Sequence, residues 1–332
     1  MAFPLTSKSQ FSNFVVSHRN IFKEVTMKKS LIALAVLGSV AGVAQAQSSV
    51  TLYGIVDVWA GRTKAEVPGV GSASVTGLNS GGLASSRWGV QGSEDLGGGL
   101  KAIFKLEQGF DASNGTANVG AGGASSAFNR QSWVGLEGGF GTVQFGNVWS
   151  AMDDVIGAAN GAFDSAFSPL YSMSGSVHNT YVDRPRNAMK YAAAFGGFSA
   201  AAVVGLDENA AVSENVVDFN LGYGAGPLGV SFAHQISNNV TDTKRTLLNG
   251  SYDLGAAKLL ATVGQVKTGV NKSTDLQFGV DVPLSTALTL SGSIARTKDN
   301  AALGDGKRTG AGLAAKYALS KRTFTYAGIT KV

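Results

Sequence analysis

Side chains able to carry out acid–base or nucleophilic chemistry are sparse in this chain. After residue 46 the only histidines are His178 and His234, and no Gly-x-Ser-x-Gly sequence supplies an activated serine. Cysteine is absent, which excludes thiol catalysis, disulfides and Cys-ligated zinc. The run Gly97-Gly98-Gly99 joins two strand-like segments, so it is a hairpin turn and not a phosphate-binding loop. The sequence therefore predicts no enzyme and no cofactor.

Charged side chains instead recur at every second position of apolar segments. Lys101, Lys105 and Glu107 share one face of the segment after the glycine turn, and the residues between them on the other face are Ala, Phe and Leu. Alternation with period two places the two sets on opposite sides of a sheet. In a large barrel the charged face looks into water and the apolar face looks toward lipid. We therefore expect these three residues, with Arg87 and Asp57, to line a lumen.

The turns between these segments support a barrel. Seven connections are short and rich in glycine, whereas longer stretches of Gly, Ser, Asn and Asp lie between them. The short connections cover residues 94–99, 137–141, 195–198, 224–228, 253–256, 283–286 and 319–322. Short turns at one end and long loops at the other are typical of an outer-membrane β-barrel, in which the short turns face the periplasm.

Counting strands predicts an all-β, transmembrane antiparallel barrel with one strand missing. Seven turns join fourteen strands, and the segment Thr51–Ala60 makes fifteen. Single-chain bacterial barrels have even strand numbers, and the sequence stops at Val332 without an obvious terminal strand. We expect about fifteen strands of a sixteen-stranded barrel within residues 47–332.

The residues before this region have a different pattern. Met27-Lys28-Lys29, an apolar run and Ala44-Gln45-Ala46 match the three parts of a secretory signal peptide, so residues 27–46 are predicted to be removed before Gln47. Residues 1–26 precede this signal and are interpreted as a spurious extension. A soluble β protein is disfavoured, because the apolar faces are modest and the opposite faces carry charges along their length.

The overall charge is misleading about partners. The formal net charge is +5, but the first 46 residues contribute five basic residues against Glu24. The remainder is close to neutral and its two signs alternate, whereas a nucleic-acid binder shows a basic patch. We expect outer-membrane lipid, and no nucleic acid, as a partner.

Several segments resemble the general trimeric porins of Gram-negative bacteria, in particular those of β-proteobacteria. These segments are 48–57, 86–102, 129–136 and 317–323, and the resemblance extends over essentially the whole chain after the signal. It implies a sixteen-stranded barrel that assembles as a homotrimer and lets small hydrophilic solutes and ions diffuse across the outer membrane. It also implies a loop folded into the lumen, which matches the longest connection, from Asn147 to Asn187.

The resemblance further implies the residues of a constriction. Arg87 and Arg184 match family positions for basic residues on the barrel wall, and Arg130 is a third candidate whose orientation is open because Gln131 is the alternative inward residue. The facing acids on the inward loop are expected to be three aspartates: Asp153, Asp154 and Asp164. Two other functions stay open at this point: a barrel enzyme of the lipase kind, and an adhesin or receptor barrel with a plugged lumen.

Overall fold

The computed structural model describes residues 48–67, 71–117, 127–206, 215–238 and 241–332. The predictions for residues 1–26 and 27–46 lie outside this part of the chain. The described residues belong to one compact unit, Gln47–Val332. Within them, no helix is long and apolar enough to cross a membrane.

In the described part of the chain, fifteen strands form one antiparallel sheet, which confirms the predicted count. Strand β1 pairs with β4, each later strand pairs with the next, and β1 and β17 are the two edges among the described residues. Its strands are β1 (Ser49–Ile55), β4 (Arg87–Gly97), β5 (Leu100–Gly109), β6 (Gln131–Gly138), β7 (Gly141–Asn147), β8 (Ala188–Phe195), β9 (Phe198–Gly205), β10 (Asn215–Ala225), β11 (Leu228–Asn238), β12 (Thr243–Asp253), β13 (Lys258–Thr268), β14 (Asn271–Pro283), β15 (Leu288–Asp299), β16 (Lys307–Ala318) and β17 (Phe324–Lys331).

Two elements differ from the sequence prediction. The first predicted strand, Thr51–Ala60, is interrupted at residues 56 and 57 and continues as β2 (Val58–Val67). Strand β2 pairs only with β3 (Gly71–Ser80), so a separate two-stranded hairpin stands where a loop was expected. The connection between β13 and β14 is also a tight turn, in which Gly269 adopts a φ of 58°. Not every connection at that end is therefore long.

Alternation along the strands sets two different faces, as predicted. On β10, Asp218 and Asn220 are buried, whereas Val217, Phe219 and Leu221 are exposed on the other side. The same alternation holds on β14, where buried Asp275 and Gln277 alternate with exposed apolar side chains. We call the buried side the inner face and the apolar side the outer face.

The connection between β7 and β8 explains why the inner face is buried. It contains four single helical turns, at Asp153–Ile156, Gly161–Asp164, Pro169–Ser172 and Val177–Thr180. These turns contact strands from β10 to β16, and the Phe167 ring lies 6.0 Å from that of Tyr326 on β17. The connection therefore lies along the inner face of the sheet.

Candidate functional site

The inward loop, residues 148–187, is attached to the wall at regular intervals. Its carbonyl oxygens accept hydrogen bonds from amide and hydroxyl groups of successive strands, and two of its backbone N–H groups donate to wall aspartates. The contacts, in chain order, are Asn220 Nδ2 to the Ala151 carbonyl (2.6 Å), the Met152 amide to Asp218 (3.1 Å), Asn249 Nδ2 to the Val155 carbonyl (2.6 Å), Thr262 Oγ1 to the Ala159 carbonyl (3.2 Å), the Phe163 amide to Ser291 (3.2 Å) and the Val177 amide to Asp275 (2.7 Å).

Apolar contacts strengthen this attachment. Met152, Val155, Ile156 and Val177 of the loop pack against Leu247 of β12, and all are buried. The other inner-face residues of β12 are polar, whereas Leu247 is apolar. Leu247 is therefore better placed against the inward loop than in contact with water. A hydrogen bond adds about 1 kcal/mol net, so the series of bonds and this packing together fix the loop in place.

On the part of the wall formed by β1, β4, β5 and the start of β6, charges converge on Glu107. The side chain of Glu107 is only 2% exposed. Its carboxylate lies 2.7 Å from Arg130 Nε, 3.6 Å from Arg87 Nε and 3.9 Å from Lys105 Nζ. Tyr53 on β1 donates its hydroxyl to the same carboxylate at 2.8 Å. We call Tyr53, Arg87, Lys105, Glu107 and Arg130 the basic cluster.

Two of these cations lie over aromatic rings. The Arg130 guanidinium lies 5.8 Å from the ring centre of Trp149, and Lys105 Nζ lies 5.2 Å from that of Tyr53. Gln131 also reaches Glu107, at 3.5 Å. Arg130 therefore turns toward the inner face even though it precedes the first residue of β6.

The loop contributes a mixed set of charges. Arg184 forms an ion pair with Asp183. Burial lowers the pKa of Arg130, and the positive charge of Arg184 acts in the same direction. Asp154 lies 2.7 Å from Lys190 on β8.

Asp153 accepts a hydrogen bond from the Tyr181 hydroxyl at 2.7 Å. Burial raises the pKa of Asp153 to about 6, although the charge of Arg184 acts in the opposite direction. Burial also raises the pKa of Asp154, against the pull of Lys190. Asp153 is thus a loop acid whose pKa lies near neutral and whose ionisation is influenced by Arg184.

Asp164 lies inside the loop. It accepts a hydrogen bond from Asn160 Nδ2 at 2.6 Å, and its φ of 50° is left-handed. Its carboxylate covers Gly157, where an added Cβ would lie 2.2 Å from Oδ2. Burial raises the pKa of Asp164 to about 6. Asp164 organises the loop and makes no described contact with the basic cluster.

The two remaining predicted lumen residues lie elsewhere. Asp57 is 6% exposed and accepts hydrogen bonds from the amides of residues 82–84 and from the Tyr326 hydroxyl, so it ties the end of β1 to β17. Lys101 lies on the same face of β5 as Lys105, but near the short turn. It pairs with Glu137 at 3.1 Å, and both side chains are about half exposed.

Sequence reasoning missed two contributors, Tyr53 and Lys190. Both lie at inner-face positions by simple alternation, two residues from Ile55 and Ala188 respectively. Alternation supplied a signal for each, but nothing in the sequence shows that Tyr53 reaches Glu107 or that Lys190 reaches Asp154.

Comparisons of the sequence and of the structure with known proteins point to the same family. A family model described as Gram-negative porin matches residues 33–332. The outer membrane porin protein 32 of Delftia acidovorans is 34% identical, over 78% of this chain and 76% of that protein. An outer membrane porin protein of Bordetella pertussis is 30% identical, over 91% of this chain and 93% of that one. Among solved structures, an anion-selective porin from Comamonas acidovorans matches with a TM-score of 0.72 and 27% identity, covering 85% of this chain and 88% of that one.

Proposed function

Because this chain belongs to the Gram-negative porin family, we propose that its pore passes small anions in preference to cations. The chain is an outer-membrane channel with an antiparallel β-barrel fold, and not an enzyme. The lipase alternative is thereby removed. The constriction and the solutes that it favours are the parts of the function proposed for this channel.

The observation that carries the proposal is the imbalance of charge in the basic cluster. Three cationic side chains, Arg87, Lys105 and Arg130, share the single carboxylate of Glu107. Two positive charges therefore remain uncompensated on this part of the wall. Rings of basic side chains favour anions in pores because they stabilise the passing ion electrostatically.

The loop does not cancel this excess. Arg184 and Lys190 offset two of the three carboxylates of Asp153, Asp154 and Asp183. The loop side is thus left with one negative charge at most, against two positive charges on the wall. The sum favours anions, and the similar porin from Comamonas acidovorans is described as anion-selective.

The inward loop is proposed to narrow the pore beside this cluster. Trp149, at the start of the loop, contacts Arg130 at the edge of the cluster, and the loop then continues across the inner face. Arg87, Arg130 and Arg184 are the proposed basic residues of the constriction. Asp153 and Asp154 are the proposed acids, and Asp164 supports the loop that carries them.

The test is the zero-current potential of the wild-type channel in planar bilayers. With a tenfold potassium chloride gradient, we expect the sign that corresponds to chloride permeating faster than potassium. Lys101→Gln is the matched control, since it removes a lysine from the same face of β5 outside the cluster, and it should leave the sign unchanged. A wild-type potential of the opposite sign would overturn the proposal.

Homotrimeric assembly and passage of small hydrophilic solutes are further parts of the proposal. A porin barrel whose outer face is largely apolar can bury part of that face against identical copies. Conductance should then open in groups of three equal steps. Single, independent steps from a chain that runs as a monomer on unheated gels would contradict the trimer. Exclusion of small neutral sugars from vesicles carrying the channel would contradict general diffusion and favour a plugged lumen.

A further inference from the structure

Five lysines form a row on the outer face, at the ends of five successive strands opposite to the short turns. One lysine comes from each strand from β12 to β16, and all five are exposed. The row consists of Lys244, Lys267, Lys272, Lys298 and Lys307. Alternation places them outward, because their immediate neighbours Arg245, Ser273 and Asp299 are buried on the inner face.

Strand register brings these charges directly opposite one another. Lys244 pairs with Lys267, and Lys267 pairs with Lys272. One step further around the sheet, Lys298 pairs with Lys307. Like charges at directly opposed positions destabilise a sheet. A row of this kind therefore requires anions beside it.

The protein does not supply these anions from its described residues. None of the five ammonium groups forms an ion pair there, although Asp242 and Asp305 lie in neighbouring turns. Arg308, which follows Lys307, points inward and pairs with Asp299 at 2.7 Å. The inner-face Arg308 is thus matched with a carboxylate, and the inner-face Arg245 donates to Ser237 at 2.9 Å, whereas the outer-face lysines have no carboxylate partner among the described residues.

The row is local to one sector of the sheet. At the corresponding ends of β5, β6, β8 and β9, the outward residues are Gln108, Ser132, Met189 and Val204. A general requirement for charge at the membrane rim would place lysines around the whole sheet. The concentration of lysines on β12–β16, continued by the exposed Lys331 at the end of β17, points to a specific contact.

The height of the row matches the headgroup level of a membrane. Lys244 lies eight residues from Tyr252 along β12, and Lys307 lies ten residues from Tyr317 along β16. At ~3.3 Å per residue and a tilt of ~40°, these separations correspond to about 20–25 Å along the membrane normal. The apolar band of outer-membrane barrels is ~25 Å tall, and aromatic residues mark its edges. The lysines therefore lie at the edge opposite to the tyrosines, which is the outer-leaflet side.

On the same face, a polar layer that includes Thr246, Gln265 and Thr274 lies next to the row, and apolar side chains follow four residues from the lysines. Leu248, Val263, Leu276 and Ile294 are 43–63% exposed. A groove of about 580 Å³ opens beside Leu276, Phe278 and Ile294, with Arg296 at its margin. Cationic groups at the headgroup level above an apolar groove are complementary to a lipid with phosphates above its acyl chains.

We propose that the lysine row binds the phosphate groups of an outer-leaflet glycolipid whose acyl chains lie on the apolar residues below. Two phosphates on one sugar headgroup would span neighbouring lysines and relieve their repulsion. A lysine near an anionic lipid surface strengthens binding by about fivefold. Removing three lysines should weaken binding by about 100-fold on the same basis.

The experiment is a lipid titration of the folded protein in detergent, with bound lipid counted by native mass spectrometry. The probe is a diphosphorylated, acylated glucosamine disaccharide, compared with its dephosphorylated form and with phosphatidylglycerol. The test variant is Lys244→Gln, Lys267→Gln and Lys272→Gln combined. The matched control removes three positive charges near the short turns, by Lys258→Gln, Lys321→Gln and Arg322→Gln.

Wild type and control should bind the diphosphorylated probe equally, and the test variant should lose about 100-fold. The proposal is overturned if the test variant binds as wild type does, or if the dephosphorylated probe binds as tightly. Equal binding of phosphatidylglycerol would overturn the assignment to a glycolipid. If the triple variant does not fold, Lys267→Gln alone should weaken binding about fivefold, and the triple Lys→Arg variant should retain binding.

Discussion

Replacing Arg87 by glutamate should remove the positive excess of the pore wall. Arg87 is 21% exposed, so it faces water as well as Glu107. In the wild type, three cations and one carboxylate leave two positive charges in the cluster. In Arg87→Glu, two cations face two carboxylates and the excess disappears. We expect the channel to lose its preference for anions.

The size of the effect follows from Coulomb's law. The interaction energy between a unit charge and a monovalent ion ~5 Å away in water is about 0.8 kcal/mol, and screening by 0.1 M salt reduces this energy to about 0.5 kcal/mol. Changing two units of charge therefore changes the energy of each permeant ion at the cluster by about 1 kcal/mol, and the change has opposite signs for anion and cation. The permeability ratio of chloride to potassium should fall by up to about 30-fold. At 1 M salt, where the Debye length is ~3 Å, the same change should be only about threefold.

The assay is the zero-current potential at both salt concentrations, with single-channel conductance as evidence that the pore is intact. Arg87→Gln should give about a fivefold change at 0.1 M, because it alters one unit of charge. Lys101→Glu is the control: it makes the same change of charge on the same face, near the short turn. A permeability ratio that is unchanged in Arg87→Glu, or that changes equally in Lys101→Glu, would refute the assignment of selectivity to the basic cluster.

Three further predictions concern the buried carboxylate, the loop acids and the signal peptide. Glu107→Gln leaves three cations without their shared carboxylate, so unfolding monitored with denaturant should show a loss of about 3–5 kcal/mol; the control Glu137→Gln, at a half-exposed pair, should cost less than about 1 kcal/mol. The pKa of Asp153 is raised to about 6 by burial, so its negative charge is lost as the pH falls from 7 to 5, and anion preference in reversal-potential measurements should rise over that window. Asp153→Asn should remove most of this rise and Asp164→Asn little of it, since Asp164 lies inside the loop; equal effects of both would contradict the placement. Intact-mass analysis of exported protein should find Gln47 at the N-terminus, and a mass that retains residues 27–46 would contradict the predicted cleavage.

The strands could be predicted because alternation is a local property. Val217, Phe219 and Leu221 separate from Asp218 and Asn220 on β10 without reference to any other strand. The short turns carry their own signal as well, since Gly97 and Gly99 adopt left-handed φ values of 87° and 81°. Such positions favour glycine whatever surrounds them.

The hairpin of β2 and β3 could not be predicted in this way. The segment Val58–Val67 contains Gly61 and three charged residues, and Gly71–Ser80 is rich in glycine and serine. Neither alternates cleanly, and their ten paired positions become visible only in the structure. Pairing between two segments of low β-propensity depends on contacts between them and is not visible in either segment alone.

The site was predictable in its residue types but not in its partners. Alternation predicts that Lys105 and Glu107 point inward. It does not predict that Glu107 forms ion pairs with basic residues from three segments. The register between strands sets these distances, and the register cannot be read from the sequence of a single segment. For Asp164, a left-handed turn directs the carboxylate into the loop, and no pattern in the sequence indicates that turn.

The two sides of the proposed constriction are built by different parts of the chain. The basic cluster lies on β1, β4, β5 and the residue before β6, and its geometry depends on one buried carboxylate. The inward loop is held by β10–β15 through separate hydrogen bonds, such as those of Asn249 and Asp275. Because these hydrogen bonds involve no residue of the basic cluster, which meets the loop at Trp149, changes to the loop anchors should alter the width of the pore without reversing its charge. Changes around Glu107 should alter the charge while the loop stays attached, so conductance and selectivity become separable properties of this channel.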